Sequence, residues 1–249
     1  MFRNAEESHQ HSLETLNQLY EYDDFMESIA TVVDIGCGEG KDIEWWATRT
    51  TRDERQDPLN IKCQGIDLTP TLPIASKHKN MTYQKADFEG ILHSLGKGFD
   101  ILWCHNSFQY AINPIQTLIN WRKIASPGAM LVLIVPQTTN VYQKDLDFSQ
   151  EDGCYHHYTI VSLIHMLAVA GWDCKAGFFK KNLNDNWLYA IVYNSDQEPR
   201  DPKTTRWYDL VDAKLLPDSA DKSIMARGFL HQKDLVLPWL DKSLNYIPR

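Results

Sequence analysis

The stretch Val32–Asp42 reads V-V-D-I-G-C-G-E-G-K-D and limits what this chain can fold into more than any other segment. A short apolar run ends in an acid and passes directly into glycines at alternate positions, Gly36, Gly38 and Gly40, before a segment of helical character. Glycine lets the backbone take φ > 0 and lets a ligand approach the main chain without meeting a Cβ. A strand that feeds a glycine-rich turn and then a helix is how open α/β sheets build nucleotide sites at the carboxyl ends of their strands. The spacing narrows the ligand. A dinucleotide fingerprint needs G-x-G-x-x-G, but Lys41 stands where its third glycine would be. Asp42 after Lys41 also removes the G-K-[ST] ending of a phosphate-binding loop. The loop therefore suits a nucleoside ligand without a pyrophosphate.

Periodicity and turn residues place the other elements around this loop. Ser12–Ile29 has apolar residues at near-helical spacing, and Thr31–Ile35 is the first strand. Further strands are expected at Ile61–Ile66, Met81–Lys85, Asp100–Cys104 and Ala129–Val135, with helices at Asp42–Thr48 and Pro114–Ile124. Gln137–Cys154 is polar and aperiodic, and loops that long in compact domains are often functional. Thr159–Ala170 is a helix with Thr159 as its N-cap and Gly171 just past its end. Trp172–Phe179 and Trp187–Tyr193 are two strands joined by K-N-L-N-D-N, hence mutually antiparallel. The expected fold is α/β, a Rossmann-like doubly wound seven-stranded sheet with its last strand antiparallel. An N-terminal helical cap (1–29) precedes the main domain (30–194), and a linker and C-terminal extension (195–249) follow it.

Composition excludes several classes. At 249 residues and 43% hydrophobic, the chain suits one substantial domain with a real core. A net charge of −8 disfavours nucleic acid as a partner, since such proteins usually carry a basic footprint. The five cysteines, Cys37, Cys63, Cys104, Cys154 and Cys174, are odd in number and widely spaced, which favours a reducing compartment. The N-terminal stretch M-F-R-N-A-E-E-S-H-Q-H has no apolar core, and no run approaches the length of a membrane span. A cytoplasmic protein without a membrane partner is expected.

The acids at the strand ends are the next signal: Asp67 in G-I-D-L and Asp87 in K-A-D-F. With these, the chain resembles the class I S-adenosylmethionine-dependent methyltransferases, in particular their small-molecule branch. The resemblance runs from Val32 to Asn194 and is strongest up to Gly128. Val32–Gly40 matches h-h-D-h-G-x-G-x-G, and Phe99–Leu102 matches F-D-h-h. Ala125-Ser126-Pro127-Gly128-Ala129 matches the h-x-P-G-G turn except at its last glycine. The resemblance implies S-adenosylmethionine as cofactor, S-adenosylhomocysteine as product, and methyl transfer to a small or modest-sized acceptor at O, N or C. It places Asp34, Gly36, Cys37, Gly38 and Gly40 at the floor of the cofactor site and Asp67 and Leu68 at the ribose. Asp87 and Phe88 would flank the adenine. A carboxylate at a strand end can accept two bonds from vicinal ribose hydroxyls, and free N–H groups at a helix start suit an anionic group.

His105 and Asn106 follow the fourth strand, where the family places groups between cofactor and acceptor. They could equally line the cofactor pocket through their backbone alone. The sequence H-N-S-F there departs from the [DNS]-P-P-[YF] of methyltransferases that act on the amino groups of bases. His105 and His157 are the candidate general bases, because a neutral imidazole near pH 7 can accept a proton. His9 and His11 on a polar terminus are too few to form a metal site. Trp45, Trp46, Trp103, Phe108 and Tyr110 form either an acceptor pocket or ordinary core. Tyr20 and Tyr22 either close over the cofactor or pack on the sheet. Two other readings remain open: a catalytically silent cofactor-binding module acting through a protein partner, and a nicotinamide-dependent oxidoreductase.

Overall fold

Seven strands form one sheet: β1 (Thr31–Ile35), β2 (Lys62–Asp67), β3 (Met81–Lys85), β4 (Phe99–His105), β5 (Ala125–Pro136), β6 (Trp172–Asn182) and β7 (Trp187–Asn194). Their order is β3-β2-β1-β4-β5-β7-β6. The first five strands pair in parallel. β7, the last in sequence, is inserted between β5 and β6 and runs antiparallel to both. The chain direction of the order reverses between β1 and β4, which is where an open α/β sheet leaves a crevice at its carboxyl ends. The computed structural model describes residues 5–21, 28–68, 78–90, 95–137, 155–182 and 187–215. Several expectations lie outside those residues: Cys154, Tyr22, most of Gln137–Cys154, the center of the β6–β7 connection, and the extension beyond Leu215.

Alternation along the strands supplies two cores. Leu131, Leu133 and Val135 of β5 face α3 (Pro114–Arg122) and α4 (Ile160–Val169), while Met130, Val132 and Ile134 face α1 (Ala5–Tyr20) and α2 (Lys41–Ala47). A strand buried on both faces reads as a continuous apolar run, as β5 does. Trp46, Trp103 and Phe108 are fully buried and Trp45 nearly so, so these aromatics are core and not an open acceptor pocket. Tyr20 packs its ring edge-on to Trp45 and donates its hydroxyl to the Thr50 carbonyl, the packing alternative.

Two boundaries differ from expectation for physical reasons. Helix α1 begins at Ala5, not at Ser12. Glu6 and Glu7 in its first turn complement the positive end of the helix, and Ser8, His9, His11 and Ser12 find partners on β4, β7 and α2. β5 begins at Ala125, because Phe99 of β4 pairs there before a register shift, so the Ser126-Pro127-Gly128 turn is absorbed as an irregularity of the strand. The Thr159 cap of α4 is present as a reciprocal box with Ser162. After β7 the chain continues into α5 (Trp207–Asp212), whose Leu210 and Val211 join the same buried cluster as Leu163 and Leu167 of α4. Arg122 fixes the approach by donating to the carbonyls of Ala170 and Ser195 and to Asn194 Oδ1.

Candidate functional site

The glycine loop is folded by its neighbours and not by its own sequence alone. The N–H groups of Gly36 and Cys37 both donate to the Ile66 carbonyl, tying the loop to the end of β2. Gly36 has φ +75°, and a Cβ there would lie 2.1 Å from Ser107 Oγ, so this backbone packs directly on the segment after β4. Gly38 has φ +51° and nothing within 4 Å of where a Cβ would be, so its face is open. Its N–H donates to Asp67 Oδ2 at 2.9 Å. That bond joins the loop after β1 to the acid that ends β2. Gly40 caps α2 with φ 79°, and its missing Cβ makes room for the Tyr83 ring.

These elements surround a cavity of about 400 Å³ at the carboxyl ends of β1 and β4, a size suited to a small-molecule site. Of the sequence-expected residues, Asp34, Gly36, Cys37, Gly38, Asp67, Leu68, Phe88, His105 and Asn106 line it. Leu68 is 54% exposed although it is a large apolar residue, and with buried Phe88 and with Tyr110 it gives the cavity apolar surface. Asn106 takes a left-handed φ of 55°, which turns the chain sharply at the end of β4. Gly40 acts through its cap and does not line the cavity. Asp87 is exposed and accepts from the Glu89 N–H, closing a local turn beside buried Phe88. His157 is exposed and lies away from the cavity, just before the buried Tyr158.

Asp34 brings an unsatisfied group to the cavity wall. It is buried, and its Oδ2 has no hydrogen-bond partner. Burial, with Asp42 and Asp67 nearby, raises its pKa well above the usual carboxylate range. Buried polar atoms are nearly always paired, so an unpartnered carboxyl oxygen on a cavity wall is a place where a polar group of a ligand fits.

The opposite wall comes from α1 and was not legible as a site in the sequence. Asp42, in the first turn of α2, accepts from His9 Nδ1 at 2.6 Å, Ser12 Oγ at 2.7 Å and the buried Trp103 indole at 2.9 Å. His105 Nε2 meets His11 Nδ1 at 2.9 Å, and His11 Nε2 meets the Tyr189 hydroxyl at 3.1 Å. Burial lowers the His105 pKa to about 4, with Asp42 opposing and His11 and His9 adding to the effect. The ring is therefore neutral at neutral pH. The histidine pair that looked inert in sequence thus seats α1 on the sheet. Ser8, His9, Asp42, Ser107 and Tyr110 all line the cavity. The available signal for the α1 contribution was the i, i+2 histidine pair, whose partners are set only by the fold. Among the described residues no cluster of His, Cys, Asp and Glu is arranged to hold a metal ion, and no helix is long and apolar enough to cross a membrane.

Comparison with known proteins bears on the domain and its fold. Residues 33–133 match the family described as a methyltransferase domain. No curated protein matches the chain. Among solved structures, a chain from the Haloferax volcanii complex with the Trm112 methyltransferase activator is similar at 15% identity and a TM-score of 0.56, covering 75% of this chain and 91% of that one. The CurJ carbon methyltransferase is similar at 17% identity and a TM-score of 0.53, covering 75% of this chain and 59% of that one. An O-methyltransferase family protein from Burkholderia thailandensis is similar at 14% identity and a TM-score of 0.53, covering 78% of this chain and 58% of that one. This chain thus spans less than two thirds of the length of the last two. Residues 33–133, from β1 into β5, are thus similar to a methyltransferase domain, and the seven-stranded sheet has the fold of these solved structures.

Proposed function

We propose that this protein transfers a methyl group from S-adenosylmethionine to a small or modest-sized acceptor at O, N or C, releasing S-adenosylhomocysteine. The observation that carries the reading is the orphaned, buried Asp34 Oδ2 on the wall of a cavity whose other side is the open Gly38 face. An unpartnered carboxyl atom beside exposed main chain fits a ligand that brings a polar group and tolerates close backbone approach. Asp67, held in place by the Gly38 N–H, is the acid for the ribose hydroxyls. Leu68 and Phe88 are the apolar surface for the adenine, and Asp87 shapes the turn that carries Phe88. The bound cofactor would supply an activated methyl on a sulfonium. The protein's own tasks are then alignment and exclusion of water. His105, Asn106 and Tyr110, which line the same cavity, are the groups available to an acceptor.

Calorimetry with S-adenosylhomocysteine tests the cofactor assignment. The wild-type chain should bind it, and Asp67→Ala should bind about 10- to 100-fold more weakly, as expected for losing hydrogen bonds to a charged group. Equal affinity in the two proteins removes Asp67 from the ribose. Turnover to S-adenosylhomocysteine in the presence of a candidate acceptor separates an enzyme from a silent binding module. An absence of any thermal shift with NAD disposes of the oxidoreductase reading.

A further inference from the structure

Strand register places His105 and Tyr189 on one face of the sheet, two strands apart. His105 of β4 is opposite Ile134 of β5, and Ile134 is opposite Tyr189 of β7. Adjacent strands lie about 4.8 Å apart, so the two side chains stand about 10 Å from each other, too far to bond. The His11 ring from α1 fills that gap. It rests on Trp187 with ring centroids 4.5 Å apart, lies nearly parallel to the His105 ring at 14°, and bonds His105 edge to edge with one nitrogen and Tyr189 with the other. The remaining nitrogen of His105, Nδ1, faces the cavity between Ser8 Oγ at 3.4 Å and Asp42 Oδ2 at 3.7 Å.

The direction of this chain of bonds follows from its end groups. A carboxylate only accepts, so the arrangement of lowest electrostatic energy puts the single N–H of a neutral His105 ring on Nδ1, beside Asp42 and at hydrogen-bond distance from Ser8 Oγ. Nε2 of His105 is then a lone pair and must receive Nδ1–H of His11. Nε2 of His11 is in turn a lone pair and receives the Tyr189 hydroxyl. The series then runs Tyr189 to His11 to His105 to Ser8 Oγ, with the Asp42 carboxylate 3.7 Å from Nδ1 favouring the proton there.

We propose that His105 serves this site as a fixed hydrogen-bond donor, presenting Nδ1–H to the cavity, and that His11 and Tyr189 are the positioning residues that hold it in that tautomer. The inference rests on the methyltransferase reading for its purpose but not for its geometry. It changes the role a base candidate would have. The basic nitrogen of His105 is turned away from the cavity and occupied by His11, so an acceptor is not deprotonated there while α1 is seated. What Nδ1–H can hold is a lone-pair oxygen entering between Ser8 and Asp42. Asp42 and Asp67 already make this cavity acidic, which favours a neutral carbonyl or hydroxyl oxygen over a carboxylate. The acceptor class that fits carries such an oxygen at or beside the atom that takes the methyl.

Long-range ¹H–¹⁵N correlation spectra of the histidine rings test this without any ligand, with His105 assigned by the signals lost in His105→Gln. In the wild-type chain at neutral pH, His105 should show a protonated Nδ1 and an unprotonated Nε2, and His11 the same. His11→Phe keeps a ring between Trp187 and His105 but removes the donor, and should release His105 into a mixture of tautomers. Tyr189→Phe should release His11 in the same way. A purely structural role for His11 would leave the His105 tautomer as it was in His11→Phe, and that result overturns the proposal. So does an unprotonated Nδ1 on His105 in the wild type, which would return the ring to the role of a base. Calorimetry with S-adenosylhomocysteine on the same wild-type sample reports on the methyltransferase reading separately. Failure to bind counts against that reading and leaves the tautomer result standing.

Discussion

The two walls of the cavity are assembled over very different distances along the chain. The glycine-loop wall joins neighbouring elements of one βαβ unit: Gly38 bonds Asp67, 29 residues away, and Gly36 and Cys37 bond Ile66. The histidine wall joins the first helix to strands far down the sequence, with His11 and His105 separated by 94 residues and His11 and Tyr189 by 178. The first wall relies on backbone groups and absent side chains. The second relies on side chains whose bonds exist only when α1 is docked. A contact made by main chain within one local unit forms with the fold of that unit. A contact made by side chains across the whole chain depends on every element between being in place. The glycine wall is therefore the rigid half of the site, and the α1 wall is the half that substitution can detach.

That contrast can be broken most severely at Gly36. Gly36→Val places a β-branched residue at positive φ and drives its Cβ into Ser107. It should lower stability by on the order of 3 kcal/mol, read by urea denaturation, with loss of S-adenosylhomocysteine binding. A small effect would mean that the loop can move away from β4 and is not the rigid half.

Asp42→Ala should come next. It strips the acceptor from the buried Trp103 indole and from His9 and Ser12 of α1. A cost of about 2 kcal/mol is expected for leaving such groups unpaired, together with faster proteolytic cleavage within α1. If α1 stays as resistant as in the wild type, its apolar face, carried by Leu16 and Leu19, is sufficient to dock it.

A smaller effect is expected from pH. His105 takes up its proton at about pH 4 in the folded chain against 6.5 for the ordinary residue. Between those values the unfolded chain binds more protons, so the His105 contribution is fully present above pH 6.5 and is lost as the pH falls toward 4. Asp34 acts in the opposite sense. Its raised pKa keeps it protonated where the unfolded residue is ionised, so its contribution is lost as the pH rises through the folded value. Denaturation midpoints of the wild type and His105→Gln across this range should therefore converge toward the acid end. Parallel curves would show that the ring is not desolvated by α1.

The least effect belongs to Glu6→Ala. It removes an exposed contact to Lys41 at 3.3 Å, the kind of surface pair that solvent screens. The denaturation midpoint and the proteolysis pattern of α1 should stay as in the wild type. A clear loss would transfer the anchoring of α1 from its histidines to its first turn.

The parts of this molecule that could be read in advance share a physical property. The strand β1 and the cap at Thr159 depend on neighbours close in sequence, and the alternate glycines of Gly36–Gly40 are legible by residue type although the groups they meet, Ile66, Asp67, Tyr83 and Ser107, are distant. Asp67 was legible because a strand end is a defined place in a parallel sheet. Asp42 was not, because an acid in the first turn of a helix has an ordinary explanation as a complement to the helix end. His9 and His11 were set aside because two ligands do not make a metal site, and nothing in the sequence showed that Asp42 and His105 would meet them. Asp87 and His157 stood at the expected positions, yet the backbone turns both side chains outward and brings Phe88 and Tyr158 inward.

The sequence by itself determined an α/β sheet with a final antiparallel hairpin and a backbone-lined pocket at the ends of β1 and β2, because glycine spacing and short apolar runs between turn residues are local signals. Only the tertiary structure decided what faces that pocket from the other side. The His11 bridge between His105 and Tyr189 requires the register of three strands and the docking of one helix at once. No local pattern encodes a bond between groups that become neighbours only after the chain has folded.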